Sequence, residues 1–272
     1  MVDATQPIWQ TEACPNCGAA LRGEYCHSCG QKKIHRHDFA LRHFFGHVVH
    51  EFTHLDSNKI LGTFVTLIFR PGHLAAEYLA GRKGSYINPV RLYLTFSAIY
   101  FLFAWSALSD IRGGVARTAR SQATIAIAKK KGIEPLALAQ KIYQKAEKYA
   151  AAFRFGSVLV SGLFLTLLFY RTGKYFVEHL VFSLYLYSFD FFFKSVFALL
   201  FIVVAAAGGQ LPARVLDLFY PIMLIYLAIA LRKVYQQSWP KTLAKSVVLF
   251  VLETLLFIGI NMAGFIIAFS FA

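Results

Sequence analysis

The sequence predicts an all-α polytopic membrane protein of about five transmembrane helices, carrying a small N-terminal zinc ribbon of the four-cysteine type. Three observations predict it. The 272 residues are 57% hydrophobic and only 15% charged, with 27 Phe, and the mean hydropathy is +0.51, outside the balance of a soluble domain. Several apolar stretches approach the roughly 20 residues that a membrane-crossing helix needs. All four cysteines fall within "CPNCGAALRGEYCHSCGQ".

Residues 1–12 are expected as a disordered tail and 13–31 as the ribbon. The first 55 residues hold no apolar run and all the cysteines, so a cleavable signal peptide is not expected. Cys14-x-x-Cys17 and Cys26-x-x-Cys29 are each followed by glycine, Gly18 and Gly30, which permits the tight positive-φ turn that aims backbone N–H groups at thiolates. Four thiolates in two such knuckles saturate a tetrahedral ion, so the expected metal site is structural rather than catalytic. Zinc is the expected cofactor, and spacing alone leaves iron open. A disulfide pair is disfavoured in a cytoplasmic segment. A domain this small has almost no core, so metal binding should supply most of its folding energy.

After a linker at 32–38, residues 39–56 suit an amphipathic helix. His43, His47, His50 and His54 share an arc of roughly 60° at 100° per residue, opposite Leu41, Phe45, Val48 and Phe52. The string His50-Glu51-Phe52-Thr53-His54 fits the H-E-x-x-H pattern of zinc metalloproteases. A face with histidines at these spacings produces H-x-x-x-H automatically, so the match rests on Glu51 alone. Three readings stay open here: a protease site, a metal-holding stripe, and an interfacial helix whose histidines face water or head groups.

Residues 57–88 are too short and too often broken by Gly and Pro to span, and suit an interfacial or re-entrant segment. Arg70, Arg82 and Lys83 stand at head-group height, and with Glu178 and His179 at the same boundary they form a candidate interfacial site. From residue 89 to the end the chain reads as a bundle, with spans at 89–108, 152–170, 178–206, 215–231 and 243–271. Within the loop 109–154, Leu136, Ala139, Ile142, Tyr143, Ala146, Tyr149 and Phe153 recur at helical spacing, opposite Lys141, Lys145 and Lys148. Residues 134–153 therefore read as a basic amphipathic helix, lying on the membrane or packed over the bundle.

Ionisable residues inside spans are costly and mark function by default. Asp190 and Lys194 stand at i, i+4 in the third span, and Glu253 lies in the fifth with Asn261 two turns further on. Both spans are expected to enter from the same side, so Asp190 and Glu253 reach similar depths of roughly 16 to 18 Å at 1.5 Å per residue. A polar cluster near the midplane follows, suited to a proton or cation path or to a polar head group.

The net charge is +14 and the pI about 9.7, yet residues 1–55 carry five basic and five acidic side chains. The excess lies beside the membrane, where anionic head groups are the natural counter-charge, and nucleic acid is not expected as a partner. Lys and Arg in the short loops put the N-terminus in the cytoplasm and the C-terminus outside an inner membrane. The loop 109–154, with ten basic and three acidic residues, runs against that assignment, but long loops weigh less in the rule.

The stretch from His54 to Phe101 resembles an uncharacterised bacterial membrane family known only as a domain of unknown function. The resemblance rests on the "YCHSCGQ" ribbon followed by Asp56, Thr63, Leu67, Arg70-Pro71-Gly72, Tyr78, Gly81, Tyr86 and Pro89. The basic pair is reversed here, as Arg82-Lys83. "YFVEHLVFSLYLYSF" from Tyr175 and "RKVYQQSWPKTLAKSVV" from Arg232 are similar to it as well. The resemblance implies an architecture and no activity. On the residues themselves, the expected function is transport or handling of a small ion, metal or lipid, with the ribbon docking a protein partner or regulating the bundle. A membrane metalloprotease and a scaffold for assembling a membrane complex are the alternatives.

Overall fold

The computed structural model describes residues 12–33, 57–104, 113–209 and 211–270. The expected histidine helix, with His43, His47, His50, Glu51 and His54, lies outside the described residues, as do residues 1–11 of the tail and 34–38 of the linker. Among the described residues there is no β-strand. The ribbon has two isolated bridges, Ala13 with Ala20 and Tyr25 with Lys32, and the other described elements are helices joined by turns and short loops.

Helix α1 (Ser57–Phe69) ends at the Arg-Pro-Gly turn, and α2 (His73–Leu79) follows at once. Gly72 caps α2 with φ +75°, and a Cβ added there would lie 2.6 Å from the carbonyl oxygen of Ala230. Glycine is thus required twice, for its backbone conformation and for the contact with a later helix. Replacing Gly72 by Ala is expected to cost about 2–4 kcal/mol, combining left-handed strain with overpacking. Gly62 meets nothing within 4 Å, and its replacement by Ala inside α1 should be neutral or slightly stabilising. Equal melting temperatures for the two variants in detergent would refute this packing.

The 81–88 segment leads into α3 (Pro89–Ile99), which starts with Asn88 accepting from the Val90 N–H (3.0 Å) and Pro89 in the first turn. A π-helical turn at Tyr100–Ala104 continues it. Short helices α4 (Gly114–Ala119) and α5 (Gln122–Lys131) precede α6 (Pro135–Leu168). Then come α7 (Phe176–Ala206), α8 (Phe219–Tyr235) and α9 (Trp239–Ser270).

Three helices are long and apolar enough to cross a membrane: Phe176–Ala206, Arg214–Tyr235 and Trp239–Ser270. The other two expected spans are shorter apolar helices, Pro89–Leu102 and Ala152–Leu168. The second of these is the apolar half of α6, whose 34 residues run unbroken through the position where an outer-loop helix was expected to end. A helix ladder needs only backbone continuity, and no proline interrupts it here, so a change from amphipathic to apolar sequence leaves it intact. The face of its first half is covered by protein: Leu138, Ile142 and Ala146 pack against Ala128 of α5 and Ala268 of α9, with Tyr143 edge-on to Phe265 at 4.8 Å. Leu136 and Phe153, expected on that face, are exposed.

Helix α7 is the axis of the main core, nearly all buried from Val177 to Phe191, with α3 and α6 packed along it. Phe189 stacks on Tyr226 of α8 at 3.6 Å. Hydrogen bonds add to the packing that ties the first elements to one another and to this bundle. Tyr226 donates to the Leu67 carbonyl (2.8 Å), Tyr185 to the Ile87 carbonyl (3.3 Å), and the Ile87 N–H to the Thr63 hydroxyl (3.1 Å).

Candidate functional site

The ribbon brings its four cysteines together. Their sulfur atoms all lie within 4.8 Å of one another, with Cys14 to Cys29 at 3.7 Å and Cys17 to Cys26 at 3.5 Å. These separations are far above a disulfide bond of about 2.05 Å, and all four thiols are free. They are close to the edge of about 3.8 Å that Zn–S bonds of about 2.3 Å give a tetrahedron. Gly18 and Gly30 turn at φ +79° and +71° and donate to the Cys14 and Cys26 carbonyls at 2.8 and 2.9 Å. Backbone N–H groups converge on the sulfurs as the knuckle spacing implies. The Gln31 N–H pulls the Cys29 thiol down to about 6, and the Cys29 and Ser28 N–H groups lower Cys26. Burial pushes Cys14 up to about 11. The arrangement fits a thiophilic metal ion with no open coordination position, and His27, exposed in the second knuckle, takes no part in the cluster.

The ribbon sits against the bundle through Gln31, which is 9% exposed. Its Nε2 donates to the Gly81 carbonyl at 2.7 Å, and its Oε1 accepts from the N–H groups of Lys83 (3.1 Å) and Gly84 (3.0 Å). The sequence marks Gln31 only as the end of "CGQ", since its partners are 50 or more residues away.

The candidate interfacial residues are engaged in separate local contacts. Arg82 forms a two-pronged pair with Glu77, with Nη2 to Oε1 at 2.6 Å, and the guanidinium holds the Glu77 carboxyl below the usual range. Lys83 lies over the Tyr78 ring at 4.8 Å, and Arg70 is exposed. Glu178 completes the first turn of α7, accepting from the Tyr175 N–H (2.7 Å) and from Lys174 (3.2 Å). His179, 1% exposed, places Nδ1 2.6 Å from the Tyr235 hydroxyl, and the two rings stack.

The intramembrane residues behave differently: Asp190, Lys194, Glu253 and Asn261 all line one cavity of about 540 Å³. It runs along α7 from Leu186 to Phe197, between α8 and α9, and Gly114, Arg117 and Tyr143 also line it. Lys194 donates to Asp190 at 2.7 Å while its ammonium faces the Phe219 and Phe257 rings at 5.1 Å each. Tyr187 donates to Oε2 of Glu253 at 2.7 Å. Asn261 accepts from Arg154 at 3.1 Å.

Two participants escape the sequence reading. Arg154, which there only interrupts a span, is 3% exposed, donates to the Tyr100 hydroxyl at 2.9 Å as well as to Asn261, and lies over the Phe257 ring at 4.6 Å. Tyr187 belongs to a stripe that counting along α7 would have shown. His179, Ser183, Tyr187, Asp190 and Lys194 share an arc of about 80° at 100° per residue, and Ser183 donates from this stripe to Ser161 of α6 at 3.1 Å.

Fold and site together define a helical membrane protein that carries a four-cysteine cluster able to hold a metal ion. Residues 57–101 match a family model described as "Protein of unknown function (DUF3667)", which supports the resemblance to a family of unknown function. The matched stretch covers α1, α2, the loop that Gln31 grips, α3 and the start of the π-helical turn. Neither the curated proteins nor the solved structures yield a match to this chain.

Proposed function

We propose that the protein binds a lipid-like amphiphile, an elongated apolar molecule with one polar group, in the cavity between α7, α8 and α9, and that its function is the handling of that molecule in the membrane. The carrying observation is that Asp190, Lys194, Glu253 and Asn261 line a single space with predominantly aromatic and aliphatic walls. At about 540 Å³ the space is far larger than the ~30 Å³ that one water occupies and falls among organic-ligand sites of about 300–1,000 Å³. From Leu186 to Phe197 it follows α7 for about 16 Å, roughly half the hydrocarbon thickness of a bilayer. An acyl or isoprenoid chain would lie along Leu186, Met223, Leu227 and Phe250, with its polar group at the rung formed by Asp190, Lys194 and Glu253. A bare-ion path has less support, because Lys194 already neutralises Asp190 across 2.7 Å.

In this reading α3 and the apolar half of α6 complete a five-helix bundle in a bacterial inner membrane. Cytoplasmic Lys and Arg residues set its orientation, and the ribbon holds zinc on the cytoplasmic side.

The test is native mass spectrometry of protein purified in mild detergent and re-exposed to a total lipid extract of the expression host. One lipid-like molecule per chain is expected. Thr254→Trp, which adds bulk to the cavity lining without replacing a charged residue, should abolish binding while preserving the melting temperature. Binding unchanged by Thr254→Trp, or no bound species in the unsubstituted protein, would overturn the proposal. Cation flux in reconstituted vesicles that depends on Asp190 and Glu253 would replace it with the ion path.

A further inference from the structure

We infer that the ribbon is a metal-dependent latch, in which the metal-loaded second knuckle fixes Gln31 and Gln31 in turn holds the 81–85 loop at the entrance to α3. This goes beyond ligand binding in the cavity and does not depend on it.

Every polar group of Gln31 is committed. Its backbone N–H points at the Cys29 sulfur, its carbonyl accepts from the Cys26 N–H at 2.9 Å, and its side-chain amide makes the three bonds to Gly81, Lys83 and Gly84. The backbone is therefore part of the thiolate cage and the side chain is part of the loop. Only one amide orientation serves, since Gly81 offers a carbonyl and Lys83 and Gly84 offer N–H groups. The first knuckle touches the same loop: a Cβ on Gly84 would meet Asn16 Nδ2 at 2.9 Å, and Ser85 donates to Asn16 at 3.4 Å.

Beyond the grip, the loop leads directly into the bundle. Arg82 pairs with Glu77 of α2, the Ile87 N–H bonds Thr63 of α1, the Ile87 carbonyl accepts from Tyr185 of α7, and Asn88 caps α3. The ribbon's own fully enclosed side chains are little more than Cys14 and Cys26, so without metal only a few backbone hydrogen bonds, such as Cys26 N–H to the Gln31 carbonyl, are left to keep Cys26, Cys29 and Gln31 in register. Removal of the ion would release the side-chain amide, and the Lys83 and Gly84 N–H groups would turn to water. Metal occupancy on one side of the membrane is thus transmitted to the start of a bundle helix by a single side chain.

Hydrogen exchange of the full chain in nanodiscs, read on peptides covering residues 78–88, tests this with added zinc and with a chelator. Chelation should raise exchange at Lys83 and Gly84 roughly ten- to hundredfold, the loss that two or three hydrogen bonds imply, while the middle of α9 stays unchanged. Gln31→Ala should do the same at full zinc content, whereas Gln31→Glu, which keeps the acceptor, should restore part of the protection. Gly84→Leu attacks the contact from the loop side, should expose Lys83 with zinc still bound, and serves if Gln31→Ala proves unable to hold metal. A loop that stays protected while the chelated ribbon exchanges freely would overturn the latch. So would protection unchanged in both Gln31→Ala and Gly84→Leu.

Discussion

Cys26→Ser removes the bound metal and unfolds residues 12–33 while leaving the helical bundle assembled. Metal content should fall from one ion per chain to none, and far-UV circular dichroism should hold, because every described helix lies outside the ribbon, from Ser57 onward. The expected effect is large. Structural zinc in comparable small domains contributes about 10–16 kcal/mol of folding free energy at neutral pH, and this ribbon has almost no apolar interior with which to replace it. A pH dependence follows from the thiols. All four must be deprotonated to bind, and burial holds Cys14 at about 11, so protons compete with the ion and affinity falls as pH is lowered. Metal retained by Cys26→Ser, or affinity rising toward acid, would refute the four-thiolate assignment.

Asp190→Leu destabilises the bundle by about 3 kcal/mol, and adding Lys194→Met recovers most of that loss. Removing one partner of a buried pair leaves the other charge uncompensated, at a cost of about 3–5 kcal/mol, whereas replacing both by apolar groups is often neutral. The low end applies because Lys194 keeps 19% of its side chain exposed to the cavity and retains the Phe219 and Phe257 faces at 5.1 Å. The double variant separates structure from function. It should melt near the unsubstituted protein in detergent but fail to bind the amphiphile, whose polar group meets that rung. If the single and double variants melt at the same temperature, the pair is not held as the structure shows; if the double variant still binds, the rung does not recognise the ligand.

Legibility from sequence follows the distance between interacting residues along the chain. The cysteine knuckles are local patterns with fixed spacing, and the structure closes them into one cluster. Asp190 and Lys194 are one helical turn apart and pair as their spacing implies. Glu253 and Asn261 reach the same cavity because rise per residue turns counting into depth. Arg154 was out of reach: its partner Asn261 is 107 residues away, and a hydropathy window sees a buried arginine only as an interruption. The unbroken α6 was missed for a related reason, since hydropathy changes along it while backbone hydrogen bonding does not.

By itself, the amino-acid sequence determined that this is a helical membrane protein with four cysteines spaced to hold a metal ion, because apolar run length and ligand spacing are properties of neighbours in the chain. Tertiary structure alone decided that Gly72 must meet Ala230, that Gln31 grips the 81–85 loop, and that Asp190, Lys194, Glu253 and Asn261 share one cavity with Arg154 behind it. Each depends on which faces of distant helices come together, and side-chain shape at the contacts selects that pairing, which no periodicity within a single helix encodes.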